Sequence, residues 1–351
     1  MGLLIHDLSK DFHKVAEEVY EKHFEVDKRL ESEYSDYRKQ KMYEDTLHNL
    51  SFLEVAIRLE EKAIFKNYID WLIQLMFNLM DDVSTKKIKE QMTTHFKLIE
   101  ESLKNHLDAK MYSLVQDYIK TAIEQIRTAS SEEKSSADKH SPYSIHCKNY
   151  ITLLLNRNVS SAVDYIKGLP KMSLSLMEVY VDVLQPVMYE IGNMWYRGEI
   201  SADQEHYMTS ITQTVLSQFY DIIFSTEKNG LTLIAFSVGK ELHEMGARMI
   251  SDLFEYEGWN SIYLGSAITK ETILKNIKKY QPDLVVLSVT MPQHLVECKR
   301  IVDALNEKHA HIKIAVGGQA FNSTDELWNK WDISIYAKDA RGLIKWANQT
   351  F

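Results

Sequence analysis

A histidine with a carboxylate before it and a glycine after it stands in the last third of the 351-residue sequence, in the segment Glu241-Leu-His243-Glu-Met-Gly246. A neutral imidazole is a good ligand for a transition metal, and a carboxylate two residues away can accept the hydrogen bond of its other ring N–H. That hydrogen bond fixes the tautomer of the histidine and raises its basicity. The short motif by itself is also compatible with an ordinary loop histidine beside a turn glycine.

The elements around this histidine alternate between short apolar runs and amphipathic helical stretches. The runs LTLIAFSV, NSIYLG, DLVVLSVT and IKIAVGG are rich in β-formers, and a weaker run, ISIYAK, precedes a last helix. Near-continuous apolar strands that alternate with helices predict a doubly wound parallel sheet, with the flavodoxin-like strand order favoured. Ligands bind such sheets beyond the carboxyl ends of the strands, here in the loops after Val238, Gly265, Thr290 and Gly318.

These loops together resemble the cobalamin-binding domain over residues 230–351. The histidine loop matches the Asp-x-His-x-x-Gly motif of that family, with Glu241 in place of the usual Asp, as in the CarH-type light sensors. The resemblance implies that His243 is the axial ligand of cobalt and that Glu241 supports its imidazole. It also implies a set of positions that line the cofactor and its nucleotide tail: Gly246, Gly265, Ser288, Thr290, Gly317 and Gly318.

A helical region over residues 146–228 precedes this domain. One long helical pattern runs from Ser173 to Tyr196 and ends before Gly198, a suitable left-handed residue just past a helix. A new helix begins at Ser201, where a glutamine three residues on predicts a capping box. We therefore expect two antiparallel helices joined by a short turn.

Trp195, Glu205 and His206 lie on either side of this turn and form the pattern W-x9-E-H. The pattern resembles the bundle above cobalt in CarH-type, adenosylcobalamin-dependent photoreceptors, where the Trp covers the adenosyl group and the Glu and His contact or support it. The sequence differs from that family at Tyr196, where the sensors have a histidine that captures cobalt after photolysis. The alternative is that the tryptophan anchors the bundle and the glutamate complements a helix N-terminus.

Residues 1–128 read as successive helices, and the polar segment 129–145 reads as a linker. The first helices carry no basic stripe, so direct DNA binding is not expected. This region resembles, more faintly, the helical part of photocobilins, which hold biliverdin near the cobalamin. The resemblance implies a pocket for biliverdin, without a thioether link, lined by His48, Phe52, Tyr68 and Trp71. The alternative is that these aromatic residues form a core or a dimer interface.

Composition and charge argue against several other classes of protein. The net charge of −9 argues against a general nucleic-acid surface, and the two cysteines, Cys147 and Cys298, do not form a disulfide framework. The most apolar segment, Tyr68 to Met80, is interrupted by polar residues, and the N-terminus does not read as a signal peptide. These patterns predict a cytoplasmic protein that does not span a membrane.

The sequence thus predicts a helical domain over 1–128, a linker over 129–145, a helical bundle over 146–228 and a Rossmann-like cobalamin-binding domain over 229–351. The favoured function is a non-enzymatic light sensor that binds adenosylcobalamin, changes domain or subunit packing on Co–C photolysis, forms a homo-oligomer and signals through a protein partner. The alternative function is a corrinoid carrier for methyl transfer, resembling the cobalamin module of methionine synthase. A scaffold that binds no cobalamin is a third possibility.

Overall fold

The computed structural model describes residues 5–80, 82–130, 141–240 and 242–351, with the backbone alone for residues 5–10. Glu241 and most of the predicted linker lie outside the described residues. The chain divides into two compact units. The first comprises Met1–Glu133 with Ser323–Asp325, and the second comprises Lys134–Asn322 with Glu326–Phe351.

The first unit is helical, as the sequence predicts. Its helices are α1 (Ile5–Val26), α2 (Leu30–Glu33), α3 (Asp36–Arg58), α4 (Lys62–Leu79), α5 (Thr85–Leu103) and α6 (Ala109–Thr128). The side chains of Ser35, Ser84 and Asp108 cap α3, α5 and α6 by accepting backbone N–H bonds. Apolar residues at helical spacing, such as Ile69 and Ile73 of α4, are fully buried.

The second unit begins with the helical bundle. Its helices are α7 (Ser144–Leu155), α8 (Val159–Gly168), α9 (Leu176–Glu178), α10 (Gln185–Tyr196), α11 (Ala202–Ser217) and α12 (Tyr220–Ile223). A 3-10 turn at Leu169–Met172 follows α8. Gly198 adopts a left-handed conformation with φ of 72°, and Gln204 Oε1 accepts the backbone N–H of Ser201 at 2.9 Å. Both predicted helix-end signals before and after the turn are therefore confirmed.

The helical pattern predicted from Ser173 to Tyr196 contains a π-helical segment, Val179–Leu184, that the periodicity does not indicate. Pro186 has no N–H, and its ring conflicts with the carbonyl four residues earlier, which disturbs the regular hydrogen bonding at this point. The thiol of Cys147 lies 3.6 Å from the carbonyl oxygen of Asp182 and 3.7 Å from that of Val183, so it donates a weak hydrogen bond to the widened turn.

The remainder of the second unit is the predicted doubly wound domain. Its strands are β1 (Thr232–Ser237), β2 (Asn260–Tyr263), β3 (Leu284–Ser288), β4 (Lys313–Gly317) and β5 (Ile335–Ala337). Its helices are α13 (Met245–Tyr256), α14 (Lys270–Tyr280), α15 (Leu295–Lys308) and α16 (Ala340–Thr350), with 3-10 turns at Pro292–His294, Gln319–Ser323 and Leu327–Lys330. All strand pairs are parallel, in the order β2-β1-β3-β4-β5. This is the predicted flavodoxin-like order.

The bundle and the sheet share one apolar core. A single buried cluster contains Val187 and Ile191 of α10, Leu253 of α13 and Leu233 of β1. Nearly all residues of β1 and β3 are buried, as expected for central strands covered on both faces.

Candidate functional site

Three residues lie side by side at the carboxyl ends of the central strands. Ser237 of β1 pairs in register with Ser288 of β3, which pairs in turn with Gly317 of β4. The backbone N–H of Val238 donates to Ser288 O at 2.9 Å, which fixes the point at which the first loop leaves the sheet. The predicted site residues of β3 and β4 therefore lie at one edge of the sheet, together with the start of the histidine loop.

The histidine of the loop is exposed at this edge. Its carbonyl oxygen accepts hydrogen bonds from Ser237 Oγ at 3.3 Å and from Thr290 Oγ1 at 3.4 Å. His243 is therefore held through its backbone, while its side chain is accessible. Leu242, immediately before it, is 86% exposed, an unfavourable state for an apolar side chain that a bound apolar surface would relieve.

Tyr263, the last residue of β2, provides a third hydroxyl to the loop. Its Oη donates to the carbonyl oxygen of Glu244 at 3.3 Å. Burial raises the pKa of Tyr263, so its hydroxyl retains its proton and is available as a donor. The helix α13 begins directly afterwards at Met245.

The glycines predicted to line the site fall into two groups. Among the described residues, a Cβ built on Gly246 would meet nothing within 4 Å, and one on Gly265 would meet a Glu244 oxygen at 3.7 Å, which is an ordinary contact. By contrast, a Cβ on Gly317 would lie 2.7 Å from the carbonyl oxygen of Ala337, and one on Gly318 would lie 2.3 Å from that of Val289. A Cβ would therefore fit at either glycine of the first pair, whereas the packing of the protein's own backbone requires glycine at both positions of the second pair.

A second histidine packs against the start of the same loop. A Cβ on Gly239 would lie 2.2 Å from Nδ1 of His294, so the imidazole sits directly against this glycine. Gly239 also has φ of 89°, a conformation that disfavours other residues. The loop after β1 is thus in close contact with the 3-10 turn that follows β3.

Comparison with known families identifies this arrangement. A family model described as the B12 binding domain matches residues 231–341, and a second model with the same description matches residues 147–220. Residues 231–341 are a B12-binding domain. The predicted cobalamin-binding fold is therefore confirmed, and the domain indicates a corrinoid cofactor.

The relatives of the chain are corrinoid proteins. A methanol–corrinoid protein of Methanosarcina barkeri is 23% identical over 124 residues, which cover 35% of this chain and 47% of the relative. Monomethylamine corrinoid protein 1 of Methanosarcina acetivorans is 21% identical over 179 residues, which cover 48% of this chain and 82% of the relative. The chain thus spans less than half the length of the first relative. These relatives are not CarH-type light sensors, the group that the sequence motifs resemble.

A solved structure supports the same fold. The monomethylamine corrinoid protein of Methanosarcina barkeri is 18% identical in sequence and superposes with a TM-score of 0.53. The match covers 60% of this chain and all of that protein.

The residues at the edge of the B12-binding domain fit a corrinoid. The imidazole of His243 is exposed, an exposed leucine stands beside it, and a Cβ would have room at Gly246 and Gly265 among the described residues. A large flat macrocycle requires such an accessible ligand and a backbone without side chains nearby.

The predicted capping residues lie where the short connection joins α10 to α11. Trp195 is half-buried and packs against the core shared by the bundle and the sheet. Glu205 lies in the first turn of α11, where Thr209 Oγ1 donates to its Oε1 at 2.9 Å. Its other oxygen lies 3.5 Å from Nε2 of His206, whose side chain is largely exposed. Both carboxylate oxygens therefore have partners within the bundle.

The four residues predicted to line a biliverdin pocket are close together in the first unit. The rings of Phe52 and Tyr68 stack with centroids 3.8 Å apart, and the Trp71 ring lies 6.1 Å from that of Tyr68. Phe52 and Tyr68 are buried, whereas His48 and Trp71 are exposed. A tetrapyrrole cannot enter between two rings in direct contact, so it would have to lie against the outer side of this stack.

Three residues of the site, Ser237, Tyr263 and His294, are not among those predicted from the sequence. Ser237 and Tyr263 are the last residues of β1 and β2, and a polar residue at that position of an otherwise apolar strand is the signal that could have indicated them. His294 carries no such signal, because its contact with Gly239 depends on the fold. Within the described residues, no helix has both the length and the apolar character required to cross a membrane.

Proposed function

We propose that this protein is a corrinoid carrier for methyl transfer, with His243 as the protein ligand of cobalt. The observation that carries the proposal is the exposed imidazole at the ligand-binding edge of a B12-binding domain, close to the space beside Gly246. The names of the relatives support the carrier role, because they pair a corrinoid with methanol or monomethylamine. A methyltransferase that delivers or removes the methyl group is the expected partner, and the carrier itself is not a catalyst.

When bound, a corrinoid supplies a cobalt atom that can accept and release a methyl group. The residues of the chain would hold and surround it. His243 would hold the cobalt through one ring nitrogen, and Glu241 would accept the hydrogen bond of the other ring N–H. Gly246 and Gly265 let the backbone approach the ligand closely, and Ser288 and Thr290 supply hydroxyls at the edge. Leu242 offers an apolar surface to the macrocycle, from which water is then excluded.

Reconstitution tests this proposal. The full chain should be incubated in the dark with methylcobalamin, hydroxocobalamin or adenosylcobalamin, freed of unbound cofactor by gel filtration, and examined by absorbance. We expect binding with an imidazole-coordinated spectrum, which is lost in His243→Ala. After anaerobic reduction, methyl iodide should regenerate the methylated spectrum. A chain that binds no corrinoid, a His243→Ala spectrum identical to wild type, or a reduced form that methyl iodide does not alkylate would each refute the proposal.

The second candidate is the adenosylcobalamin-dependent light sensor. It is favoured by the half-buried Trp195 next to a helix start that presents Glu205 and His206, an arrangement suited to covering an adenosyl group. A sensor should prefer adenosylcobalamin, and green light should change both its spectrum and its elution volume through altered packing or oligomeric state. A carrier should retain the same elution volume in the dark and in the light.

Biliverdin as a second chromophore belongs to this second candidate. The exposed face of Trp71 with His48 beside the aromatic stack is the surface that such a pigment would use. The measurement is absorbance in the red after incubation with biliverdin, with Trp71→Ala as the variant. If the wild-type spectrum equals that of free biliverdin, no bilin binds.

A further inference from the structure

Three hydroxyl groups converge on two consecutive carbonyl oxygens in the histidine loop. Ser237 and Thr290 both donate to the carbonyl of His243, at 3.3 and 3.4 Å, and Tyr263 donates to the carbonyl of Glu244 at 3.3 Å. The donors come from the ends of β1 and β2 and from the residue two positions past the end of β3. The loop is therefore tied to three neighbouring strands of the sheet.

The two carbonyls differ in what the helix offers them. Glu244 is the N-cap of α13, and its carbonyl oxygen accepts the first helical bond, from Arg248 N at 3.2 Å, so that the Tyr263 hydroxyl is a second partner. His243 precedes the N-cap, so the helix offers no N–H to its carbonyl. Hydrogen bonds from side-chain hydroxyls therefore fix the orientation of these two carbonyl groups, which would vary in a loop that is bonded to water alone.

We propose that Ser237 and Tyr263 are positioning residues for the cobalt ligand. By holding the carbonyls of His243 and Glu244, they fix the backbone from which the imidazole projects, so that its nitrogen is presented to the metal in one geometry. The inference rests on the proposed assignment of His243 as ligand. A ligand that is held in place before binding loses less conformational freedom when it coordinates, which favours the bound state.

The environment of each donor supports this role. Ser237 is buried, and its backbone N–H donates to Gly265 O at 2.9 Å. The backbone that carries its hydroxyl is therefore held in place by the sheet. The phenol of Tyr263 is protonated at physiological pH even at its ordinary pKa, and burial raises that pKa further, so the group remains a donor. Removing supporting contacts around a metal ligand typically lowers metal affinity about 10- to 100-fold, and we expect Tyr263→Phe and Ser237→Ala to act at the low end of this range.

The test uses the full chain loaded with cob(II)alamin. Electron paramagnetic resonance distinguishes cobalt with an axial nitrogen from cobalt without one, so the ratio of the two forms can be measured. We expect this ratio to fall about tenfold in Tyr263→Phe or Ser237→Ala and further in the double variant, because a histidine that is less well oriented coordinates cobalt more weakly. Ser237→Thr retains a hydroxyl and should restore most of the wild-type ratio.

Matched controls separate positioning from general stability. Tyr118 Oη donates to the carbonyl of Ala56 at 3.3 Å in the first unit, and Ser217 Oγ donates to the carbonyl of Thr214 at 2.7 Å in the bundle. Tyr118→Phe and Ser217→Ala remove the same kind of bond elsewhere and should leave the ratio unchanged. Far-ultraviolet circular dichroism verifies folding, and if one of the two site variants fails to fold, the other decides the test.

The outcomes distinguish this inference from the proposed function. If wild-type cobalt shows an axial nitrogen that is lost in His243→Ala, but Tyr263→Phe and Ser237→Ala match their controls, the positioning role is wrong and the ligand assignment stands. If wild-type cobalt shows no axial nitrogen from His243, the ligand assignment itself fails, and the positioning role fails with it.

Discussion

The hydroxyl of Tyr180 donates a hydrogen bond to Oδ2 of Asp252 at 3.2 Å. Tyr180 lies in the π-helical segment of the bundle and is fully buried, whereas Asp252 lies in α13, the helix that follows the histidine loop. One turn earlier in α13, the guanidinium of Arg248 donates to the Tyr220 hydroxyl at 2.7 Å. The helix that begins next to the proposed cobalt ligand is thus hydrogen-bonded to the bundle.

The buried carboxyl of Asp252 should make stability depend on pH. Burial raises its pKa to about 6, while Arg248 and the Tyr180 hydroxyl lower it in part and Glu255 raises it further. Since its pKa in the folded state lies above the ordinary value, the folded state is favoured by protonation, and the free energy of unfolding falls as pH rises from about 4 to about 6. Asp252→Asn removes the cost of the buried charge and should stabilise the second unit at pH 8 by on the order of 2 kcal/mol.

Urea unfolding at pH 4 and pH 8, followed by circular dichroism, measures this effect. The exposed Asp164 of α8 is the control, and Asp164→Asn should change stability by less than about 0.5 kcal/mol. An Asp252→Asn variant that is less stable than wild type at pH 8 would show that the ionised carboxylate is favourable, contrary to this reasoning.

Two glycines of the B12-binding domain should respond oppositely to alanine. Gly318 has φ of 100°, and its Cβ would lie 2.3 Å from the Val289 carbonyl oxygen, so Gly318→Ala should destabilise the domain by about 2 kcal/mol or more. Gly246 lies in the first turn of α13 with open space around it, so Gly246→Ala should leave the apoprotein equally stable or more stable by about 0.5 kcal/mol.

Cofactor binding makes the second of these substitutions informative. If the corrinoid occupies the space beside Gly246, Gly246→Ala should weaken its binding while thermal unfolding of the apoprotein is unchanged or improved. Equilibrium dialysis with hydroxocobalamin measures the affinity. Wild-type affinity in Gly246→Ala would place the corrinoid away from this glycine.

A chain of buried polar groups in the first unit gives a second pH dependence. Tyr68 Oη donates to Asn49 Oδ1 at 2.8 Å, and Asn49 Nδ2 donates to His95 Nε2 at 2.8 Å. The remaining nitrogen of His95 therefore carries its proton and donates to Nε2 of His23 at 2.9 Å. Burial lowers the pKa of His23 to about 4 and that of His95 to about 3, where the neighbouring His23 contributes as well.

These histidines should destabilise the first unit in acid. Their pKa values in the folded state lie below the ordinary 6.5, so the unfolded state takes up protons first. Above pH 6.5 both histidines are neutral in the folded and in the unfolded state, and the free energy of unfolding does not depend on them. As the pH decreases from 6.5 to about 4, His23 is protonated in the unfolded state first, and the free energy of unfolding should fall by on the order of 3 kcal/mol. Urea unfolding between pH 7 and pH 4 measures the slope. His23→Gln should flatten it, and an equal slope in wild type and variant would contradict the assignment.

Trp195→Ala distinguishes the two candidate functions. If the indole covers an adenosyl group, its removal should lower the affinity for adenosylcobalamin relative to methylcobalamin about tenfold or more, because an apolar contact of that size is lost. For a methyl carrier, both affinities should change by the same factor. Competition between the two cofactors, followed by absorbance, gives the ratio, and Phe224→Ala on the exposed surface of the bundle is the control.

The sequence by itself determined the local features. The apolar runs and their alternation with helices predicted the five parallel strands and their order, and Gly198 and Ser201 marked the ends of two helices. The position of the histidine loop at the ligand-binding edge also followed from the sequence, because a motif that directly follows a strand is positioned by that strand. The helix-end residues and the loop motif lie within a few residues of the features that they predict.

Only the tertiary structure decided which distant residues surround the site. Ser237 and Thr290 are far apart in sequence, yet both bond the carbonyl of His243, and the partner of Tyr180 lies in a helix of the α/β domain. The same holds for His23, whose partner His95 is 72 residues away. Such contacts depend on how the elements pack, whereas periodicity, caps and turn glycines depend on the adjacent chain alone. The spacing of apolar residues shows which face of a helix or strand is buried, but it does not indicate which residues of another element contact that face.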